Sequence, residues 1–297
     1  IHHFKAYPKV KVKKISYICG METKTFKKAD LLIGWVVFAI SAAVYLATIE
    51  PTASFWDCGE FIASSYKLEI GHPPGNPTYQ LAGRLFSMLG SDQKAAMLIN
   101  AMSALASAFC VLFLFWTISH LGRRLLEKKK ISLKRGNAIA IWGAAAAGSL
   151  IYSFSDTAWF SAVEAEVYGM SSLFTAAVFW AMLKWEHADE HGGNDPAARA
   201  KSDRWIVFLF FMMGLSIGVH LLNLLTIPAI VMIYYYRRFQ VSTKGAIIAF
   251  LIGCLITGIV QVGVIQYSMK AAGQFDVFFV NDLGMPFFSG FAVYFLL

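Results

Sequence analysis

The chain has 297 residues, of which 57% are hydrophobic and 15% are charged. Ordinary soluble domains contain about 25% charged residues, so the composition excludes a typical water-soluble globule. A mean hydropathy of +0.56, with 25 Phe, 12 Tyr and 8 Trp, is typical of a chain that faces lipid and collects aromatic side chains at the membrane boundary. We therefore expect an all-α polytopic membrane protein.

Six apolar regions are long enough to cross a bilayer, which needs about 20 helical residues. They are 31–49, 96–121, 138–155, 167–185, 205–236 and 245–267. As a single helix, region 205–236 would measure about 48 Å, too long for one crossing. Polar and helix-breaking residues near its middle predict two short helices that turn at the far face. This gives seven crossings, and a further helix begins near residue 290.

The basic residues predict the orientation of these crossings. Of the 26 Lys and Arg residues, 22 fall in four segments on one side of the membrane: 1–30, 122–135, 184–204 and 237–244. By the positive-inside rule that side is cytoplasmic. We therefore expect a protein of the cytoplasmic (inner) membrane, with its N-terminus inside and its active site on the extracytoplasmic face. The basic segments border spans, where they lie beside anionic lipid. The net charge of +8 is therefore explained by the membrane orientation, and we expect no nucleic-acid partner.

The chain ends and the cysteines give three smaller expectations. Residues 1–30 are a predicted cytoplasmic N-terminal segment, in which residues 1–20, before Met21, look like a non-native extension. Residues 31–297 form a predicted transmembrane domain that we expect to be truncated at its C-terminal end, because FFSGFAVYFLL stops partway into an apolar run. The four cysteines are too scattered for a disulfide framework, and they indicate neither redox chemistry nor structural zinc.

The first outer loop, 50–95, contains a pair of carboxylates directly after the first span. Asp57 and Glu60 are three residues apart, so they share one face if FWDCGEF begins a helix. At a membrane face such a pair can act as a general base or hold a divalent cation. The alternative is that both acids only complement the dipole at a helix N-terminus.

A rigid segment, GHPPGNP, follows in the same loop. It presents His72 ahead of Pro73, Pro74 and Gly75, and its prolines fix the backbone. A turn between two interfacial helices is the alternative interpretation, since the apolar residues around Arg84 have the spacing of a helix that lies on the membrane. Arg84 is the predicted phosphate ligand, because guanidinium binds phosphate with two parallel hydrogen bonds.

Later outer segments add further candidate residues. The second outer loop supplies Glu164, Glu166 and Tyr168, and the third outer turn supplies His220 and Asn223. For His220 and Asn223 the alternatives are a contact with a lipid phosphate and a satisfied capping pair. On the predicted cytoplasmic side, the acidic and histidine-containing stretch EHADEH is interpreted as part of a solvated linker, not a metal site.

Four motifs together carry a family resemblance. PTxSFWDCGEFIA follows the first span, GHPPGxP comes later in the same loop, EAEVYGM follows the third span, and GLSIGVHLLN marks the predicted hairpin. From Leu31 to Leu297 this pattern resembles the bacterial relatives of the eukaryotic transmembrane protein O-mannosyltransferases that act on receptor ectodomains. That family belongs to the GT-C superfamily of polyprenyl-phosphate-sugar glycosyltransferases. The resemblance implies a GT-C-like helical bundle whose long first extracytoplasmic loop carries interfacial helices.

The resemblance also implies roles for the motif residues. The catalytic carboxylate of the first outer loop falls on Asp57, with Glu60 as its neighbour, and the proline-containing segment falls on His72, Pro73, Pro74 and Gly75. Several relatives have a lysine after a glycine in the hairpin turn, where this chain has His220. The implied partners are a polyprenyl-phosphate-linked sugar, an exported acceptor protein and membrane lipid.

The expected function is transfer of a hexose, mannose by resemblance, from a polyprenyl-phosphate donor to Ser or Thr of exported proteins. A single displacement would use Asp57 as the base and would invert the sugar configuration. One alternative is transfer to a lipid or glycan acceptor. Another is a lipid-linked sugar flippase or transporter, although such proteins need ionisable groups within their spans and these spans are nearly free of them.

Overall fold

The computed structural model describes residues 23–192 and 195–297, and within these ranges it is helical with no strand. Residues 1–20, the predicted extension, lie outside the described residues. Four helical segments are long and apolar enough to cross a membrane: Lys24–Ala47, Asp92–Lys128, Val167–Gly192 and Thr243–Asn281. A fifth candidate is the pair Arg135–Ser153 and Asp156–Val163, which is bent by 65°. The protein is thus an all-α polytopic membrane protein, while the count of seven crossings stays a prediction.

The described residues form twelve α-helices. They are α1 (Thr23–Ala47), α2 (Cys58–Lys67), α3 (Pro77–Ser87), α4 (Ala95–Lys128), α5 (Arg135–Ser153), α6 (Asp156–Val163), α7 (Val167–Gly192), α8 (Pro196–Ile217), α9 (Ile227–Arg238), α10 (Thr243–Gly258), α11 (Ser268–Asn281) and α12 (Ser289–Leu296). A π-helix, Ile259–Tyr267, joins α10 to α11. The chain divides into two compact units. We call the part up to Asn223 the first unit and the part from Leu224 onwards the second unit.

In the first unit, α4 is the central helix and packs against α1, α5 and α7. Its middle is lined with small and apolar residues that are fully buried, among them Ala104, Ala108 and Val111, so that neighbouring helices approach it closely. At one end of this bundle, Tyr45 of α1 hydrogen bonds to Ser153 of α5 at 2.8 Å. We call this the acidic end, because Asp57, Glu164 and Glu166 lie there.

The opposite end of the first unit, which we call the basic end, brings together the start of α1 and the ends of α4 and α7. Ser119 donates a hydrogen bond to Asp30, and Arg124 bridges to Glu186 of α7 at 3.0 Å. The stretch from His187 to His191, predicted to be a solvated linker, is instead the last part of α7. Asp189 within it is only 2% exposed. That interpretation is therefore wrong, because its polar residues pack against α4 and so remain helical.

The first outer loop contains two helices, as the sequence predicts. Asp57 is the N-cap residue of α2, and Pro77 begins α3, where its missing N–H costs nothing. The two helices pack closely at Gly83, since a Cβ there would meet Ser65 at 2.8 Å. The N–H of Thr78 donates to the carbonyl of Gly218 at 2.8 Å, which joins α3 to the end of α8. Whether α2 and α3 lie at the membrane interface stays a prediction.

Region 205–236 is interrupted where the sequence predicts. α8 ends at Ile217, a short 3₁₀ segment covers Leu221–Thr226, and α9 begins at Ile227 with Pro228 in its first turn. The prediction that this region is not one continuous helix is confirmed. The turn of a hairpin at the far face stays a prediction.

The second unit is built on two close contacts. Gly253 of α10 lies against Pro228 of α9, so closely that a Cβ at 253 would meet the Pro228 Cα at 2.6 Å. The carboxylate of Asp276 in α11 accepts hydrogen bonds from the N–H groups of Phe288, Gly290 and Phe291 at 3.0 to 3.2 Å. A carboxylate suits the start of a helix, so Asp276 holds α12 to α11.

Asn100 of α4 fixes the first outer loop to the bundle. It is fully buried, and its side-chain amide donates to the carbonyls of Glu50 at 2.6 Å and Thr52 at 2.9 Å. We expect Asn100→Ala to lower the free energy of unfolding by about 1–3 kcal/mol, because two hydrogen bonds from a fully buried amide are lost. Thermal unfolding in detergent measures this change.

The matched control is Asn137→Ala, which removes one hydrogen bond to the Ser132 carbonyl at a partly exposed position. It should cost less than about 1 kcal/mol. Equal losses for the two variants would contradict the role given to Asn100.

Candidate functional site

A cavity of about 610 Å³ opens at the acidic end of the first unit. Its volume falls within the range of about 300–1,000 Å³ that is common for small-molecule sites. Four of the residues predicted from sequence line it: Asp57, Glu164, Glu166 and Tyr168. The structure thus joins the first and second outer loops in one site.

Sequence reasoning missed a set of hydroxyl groups in the same cavity. They are Tyr45, Ser107, Tyr152, Ser155, Thr157, Ser161 and Ser172. The signal that could have found them is the position of several of these residues at the ends of apolar spans, next to the outer loops. Hydroxyl groups both donate and accept hydrogen bonds, so this wall of the cavity can bind a polyhydroxylated ligand.

Trp56 and Asp57, the two residues directly before α2, lie at the mouth of the cavity. Trp56 is 87% exposed and has a φ of 61°, a left-handed conformation that is uncommon for a bulky residue. Asp57, which follows it, makes no side-chain capping hydrogen bond. Its carboxylate therefore does not serve as a cap for α2, and it lines the cavity instead.

Glu60 is held by His72 across the first outer loop. The backbone N–H of His72 donates to Oε1 of Glu60 at 2.6 Å, and Nδ1 of the imidazole lies 3.1 Å from the same oxygen. The backbone hydrogen bond, followed by the side-chain bond, lowers the pKa of Glu60 below its usual value. Glu60 is thus ionised at neutral pH and bound to the loop, which suits a positioning role.

The proline segment forms an exposed tight turn next to this pair. The N–H of Gly75 donates to the carbonyl of His72 at 2.9 Å, and Gly75 has a φ of 81°, which favours glycine. Pro73 and Pro74 are exposed. The turn therefore presents His72 towards Glu60, a contact that the sequence analysis did not predict. Binding of substrate by the prolines stays a prediction.

Asp57, Glu60 and His72 also form a candidate metal group. One ligand atom from each residue lies within 4.8 Å of the other two. Carboxylate oxygens and an imidazole nitrogen can hold a divalent cation. The same geometry serves equally as a hydrogen-bonded carboxylate–imidazole pair beside a second carboxylate.

Glu164 and Glu166 are both buried, with exposures of 3% and 7%. Burial raises the pKa of Glu164, although a hydrogen bond from Ser54 opposes the shift. Burial, followed by the charges of Glu164 and Asp57, raises the pKa of Glu166 to about 7. Near neutral pH the Glu166 carboxyl is therefore partly protonated, and it can donate or accept a proton in the cavity.

His220 and Asn223 have different environments. The ring of His220 packs on that of Tyr168, with centroids 5.3 Å apart, so it lies next to a residue of the cavity wall. Its Nδ1 accepts from the N–H of Leu222 at 3.1 Å. Asn223 is 1% exposed and bonds to Ser216 at 2.6 Å and Thr175 at 3.2 Å. The capping role therefore fits His220, which accepts from the backbone at the start of the 3₁₀ segment, whereas Asn223 is satisfied by two side-chain hydroxyl groups.

Arg84 is not among the residues that line the cavity. Its Nη1 donates to the carbonyl of Tyr66 at 2.7 Å, and its guanidinium lies over the Tyr66 ring at 5.2 Å. These contacts stabilise the packing of α3 on α2. Phosphate binding by Arg84 stays a prediction.

The raised pKa of Glu166 predicts a pH-dependent stability. The folded protein binds the Glu166 proton more tightly than the unfolded chain does, so this contribution to stability is full below pH 4.5, the usual glutamate pKa. It is lost as the pH rises through about 7. Relative to Glu166→Gln, we expect the unfolding free energy to fall by about 1 kcal/mol between about pH 6 and about pH 8.

Denaturant unfolding of the two proteins at several pH values measures this difference. The control is Glu69→Gln, a change of an exposed carboxylate that pairs only loosely with Lys67 at 3.8 Å. It should leave the pH dependence unchanged. A parallel pH dependence in wild type and Glu166→Gln would contradict the raised pKa.

Comparison with known proteins identifies the family. The N-terminal domain of the protein O-mannosyl-transferase TMEM260 matches residues 57–243. Protein O-mannosyl-transferase TMEM260 of Mus musculus is 29% identical over 157 residues, 51% of this chain and 19% of the mouse protein. Protein O-mannosyl-transferase tmem260 of Dictyostelium discoideum is 22% identical over 164 residues, 53% of this chain and 17% of that protein.

The matched segments thus cover about a fifth of the length of these relatives. No solved structure matches the chain. The family match extends over more than half of the chain and includes the residues that line the cavity from Asp57 onwards. This chain belongs to the family of the TMEM260 N-terminal domain.

Proposed function

We propose that this protein is a GT-C-type glycosyltransferase that moves mannose from a polyprenyl-phosphate donor to Ser or Thr of exported proteins. The observation that carries the proposal is the single cavity that unites Asp57, Glu164, Glu166 and Tyr168. The names of its relatives, both protein O-mannosyl-transferases, support the sugar and the protein acceptor. The polyprenyl-phosphate donor and the GT-C class rest on the motif resemblance.

Asp57 is the proposed base. It lies at the mouth of the cavity, is exposed and is not used as a helix cap. Its carboxylate takes the proton from the acceptor hydroxyl as that oxygen attacks the anomeric carbon. The bond between the anomeric carbon and the phosphate oxygen breaks, and the lipid phosphate leaves with the electron pair. This single displacement inverts the sugar configuration.

The neighbouring acids have supporting roles in this proposal. Glu60 holds the His72 turn in place and so orients the acceptor beside Asp57. Glu166, partly protonated near neutral pH, donates a hydrogen bond to a sugar hydroxyl, and the hydroxyl groups of the cavity wall bind the others. Burial of these groups strengthens their hydrogen bonds because the local dielectric is low.

The leaving phosphate gains negative charge and needs donors. His220 is one candidate, because its ring contacts Tyr168 at the cavity wall. Arg84 is a second candidate, since a guanidinium has five N–H donors and the Tyr66 carbonyl uses one nitrogen. Both residues would donate hydrogen bonds to the lipid phosphate, whereas the cavity residues would bind the hydroxyl groups of the sugar.

The first test is Asp57→Asn, which keeps the size of the side chain and removes the proton acceptor. We expect transfer to fall by about 10²-fold or more, with donor binding nearly unchanged. The assay uses the full-length protein in membranes with labelled polyprenyl-phosphate mannose and an exported acceptor protein, and it measures label in the acceptor.

The matched control is Asp156→Asn. Asp156 is also an exposed aspartate at the start of a helix of the acidic end, and it does not line the cavity. Its variant should retain wild-type transfer. Wild-type transfer by Asp57→Asn would disprove the base assignment, and a larger loss from Glu60→Gln would reverse the two roles. Label in lipid or glycan in place of protein would point to the alternative acceptors.

The second test concerns the face of the membrane. The motif residues lie at the acidic end of the first unit, whereas Arg124 and the Lys- and Arg-rich segment 122–135 lie at the basic end. By the positive-inside rule this distribution supports an extracytoplasmic acidic end. An engineered cysteine at Gly75 should react with an impermeant thiol reagent in intact cells, and one at Lys129 should react only after the membrane is opened. The reverse pattern would invert the topology.

A further inference from the structure

The basic end of the first unit carries a cluster of metal-ligand side chains that the proposed reaction does not use. His187, Glu190 and His191 occupy positions i, i+3 and i+4 of α7, so they share one face of the helix. One ligand atom from each lies within 4.8 Å of the other two. The centroids of the two imidazole rings are 4.1 Å apart.

A second helix contributes another imidazole to this cluster. His120 of α4 faces His187 with ring centroids 5.7 Å apart. Nε2 of His120 and Nδ1 of His187 are buried and have no hydrogen-bond partner. Buried polar atoms almost always have a partner, so two unsatisfied ring nitrogens at one place indicate a missing ligand.

The surroundings of the cluster restrain two of its members. Arg124 bridges Glu190 at 2.5 Å and Glu186 at 3.0 Å, which holds the Glu190 carboxylate in position and balances the arginine charge with two acids. Nδ1 of His191 donates to the carbonyl of His187 at 2.8 Å, which fixes the orientation of that ring. Such contacts around the ligands are the usual support of a metal site.

We propose that His187, Glu190 and His191 bind a transition-metal ion of the zinc class, with His120 as the fourth ligand. Imidazole nitrogens with one carboxylate suit Zn²⁺, whereas Mg²⁺ and Ca²⁺ prefer oxygen ligands. Because His120 belongs to α4 and the other ligands to α7, the ion would link the two helices at the basic end. It would stabilise the bundle at the end opposite to Asp57.

The test uses the whole chain, purified in detergent with an affinity tag that contains no histidine. The protein is stripped with a chelator and titrated with Zn²⁺, and bound zinc is measured by elemental mass spectrometry after gel filtration. We expect one tightly bound zinc per chain and a rise of Tm on zinc addition. The double variant His187→Ala/His191→Ala should lower the affinity for zinc at least about tenfold and abolish the rise of Tm.

Two further variants make the result decisive. His191→Ala alone changes an exposed residue, so the variant should fold and still show weakened zinc binding. His72→Ala removes a ligand from the candidate metal group at the acidic end and should leave zinc binding unchanged. Zinc binding that survives in His191→Ala, is lost in His72→Ala, or is absent from the wild type would overturn the proposal.

Discussion

The candidate site depends on one buried amide. The first outer loop must leave the end of α1, pass the mouth of the cavity and begin α2, and its backbone carbonyls at Glu50 and Thr52 accept the hydrogen bonds that fix this path to the bundle. Asn100 of α4 supplies both hydrogen bonds. Since α4 is also the helix against which α1, α5 and α7 pack, this amide connects the most central element of the first unit to the segment that carries Asp57.

Environment separates the carboxylates of the acidic end into different chemical states. Glu60 is exposed and accepts two hydrogen bonds from His72, which favours its charged form. Glu166 is buried beside other acids, which favours its neutral form. The surroundings thus shift the pKa values of two acids of the same type in opposite directions, that of Glu60 down and that of Glu166 up. Residue type alone does not distinguish them, because both are glutamates.

Much of this arrangement was predictable from sequence, and the failures have physical causes. Hydropathy and charge predicted the helical membrane fold and the break near His220, because both depend on composition along the chain. Spacing and resemblance selected Asp57, Glu166 and Tyr168, which do line one cavity. Tyr45 and Tyr152 lie near the ends of apolar spans, but the sequence could not show that they face the cavity, because the face that a residue presents within an apolar helix depends on packing between helices. The helical end of α7 was missed for a similar reason. Its acidic residues are stabilised by Arg124 of α4, a helix that packs against α7 but is far from it in sequence.

The left-handed backbone of Trp56 limits which residues natural variants can carry at this position. A β-branched side chain is strongly disfavoured at positive φ, whereas glycine and asparagine adopt it readily. Glycine would relieve the backbone strain at this position, but it would remove the large indole ring, which is 87% exposed beside the cavity. If the ring only filled space, homologues would drift towards the relaxed residues. Retention of an aromatic residue there across the family would indicate that selection acts on the ring itself and tolerates a strained backbone to keep it.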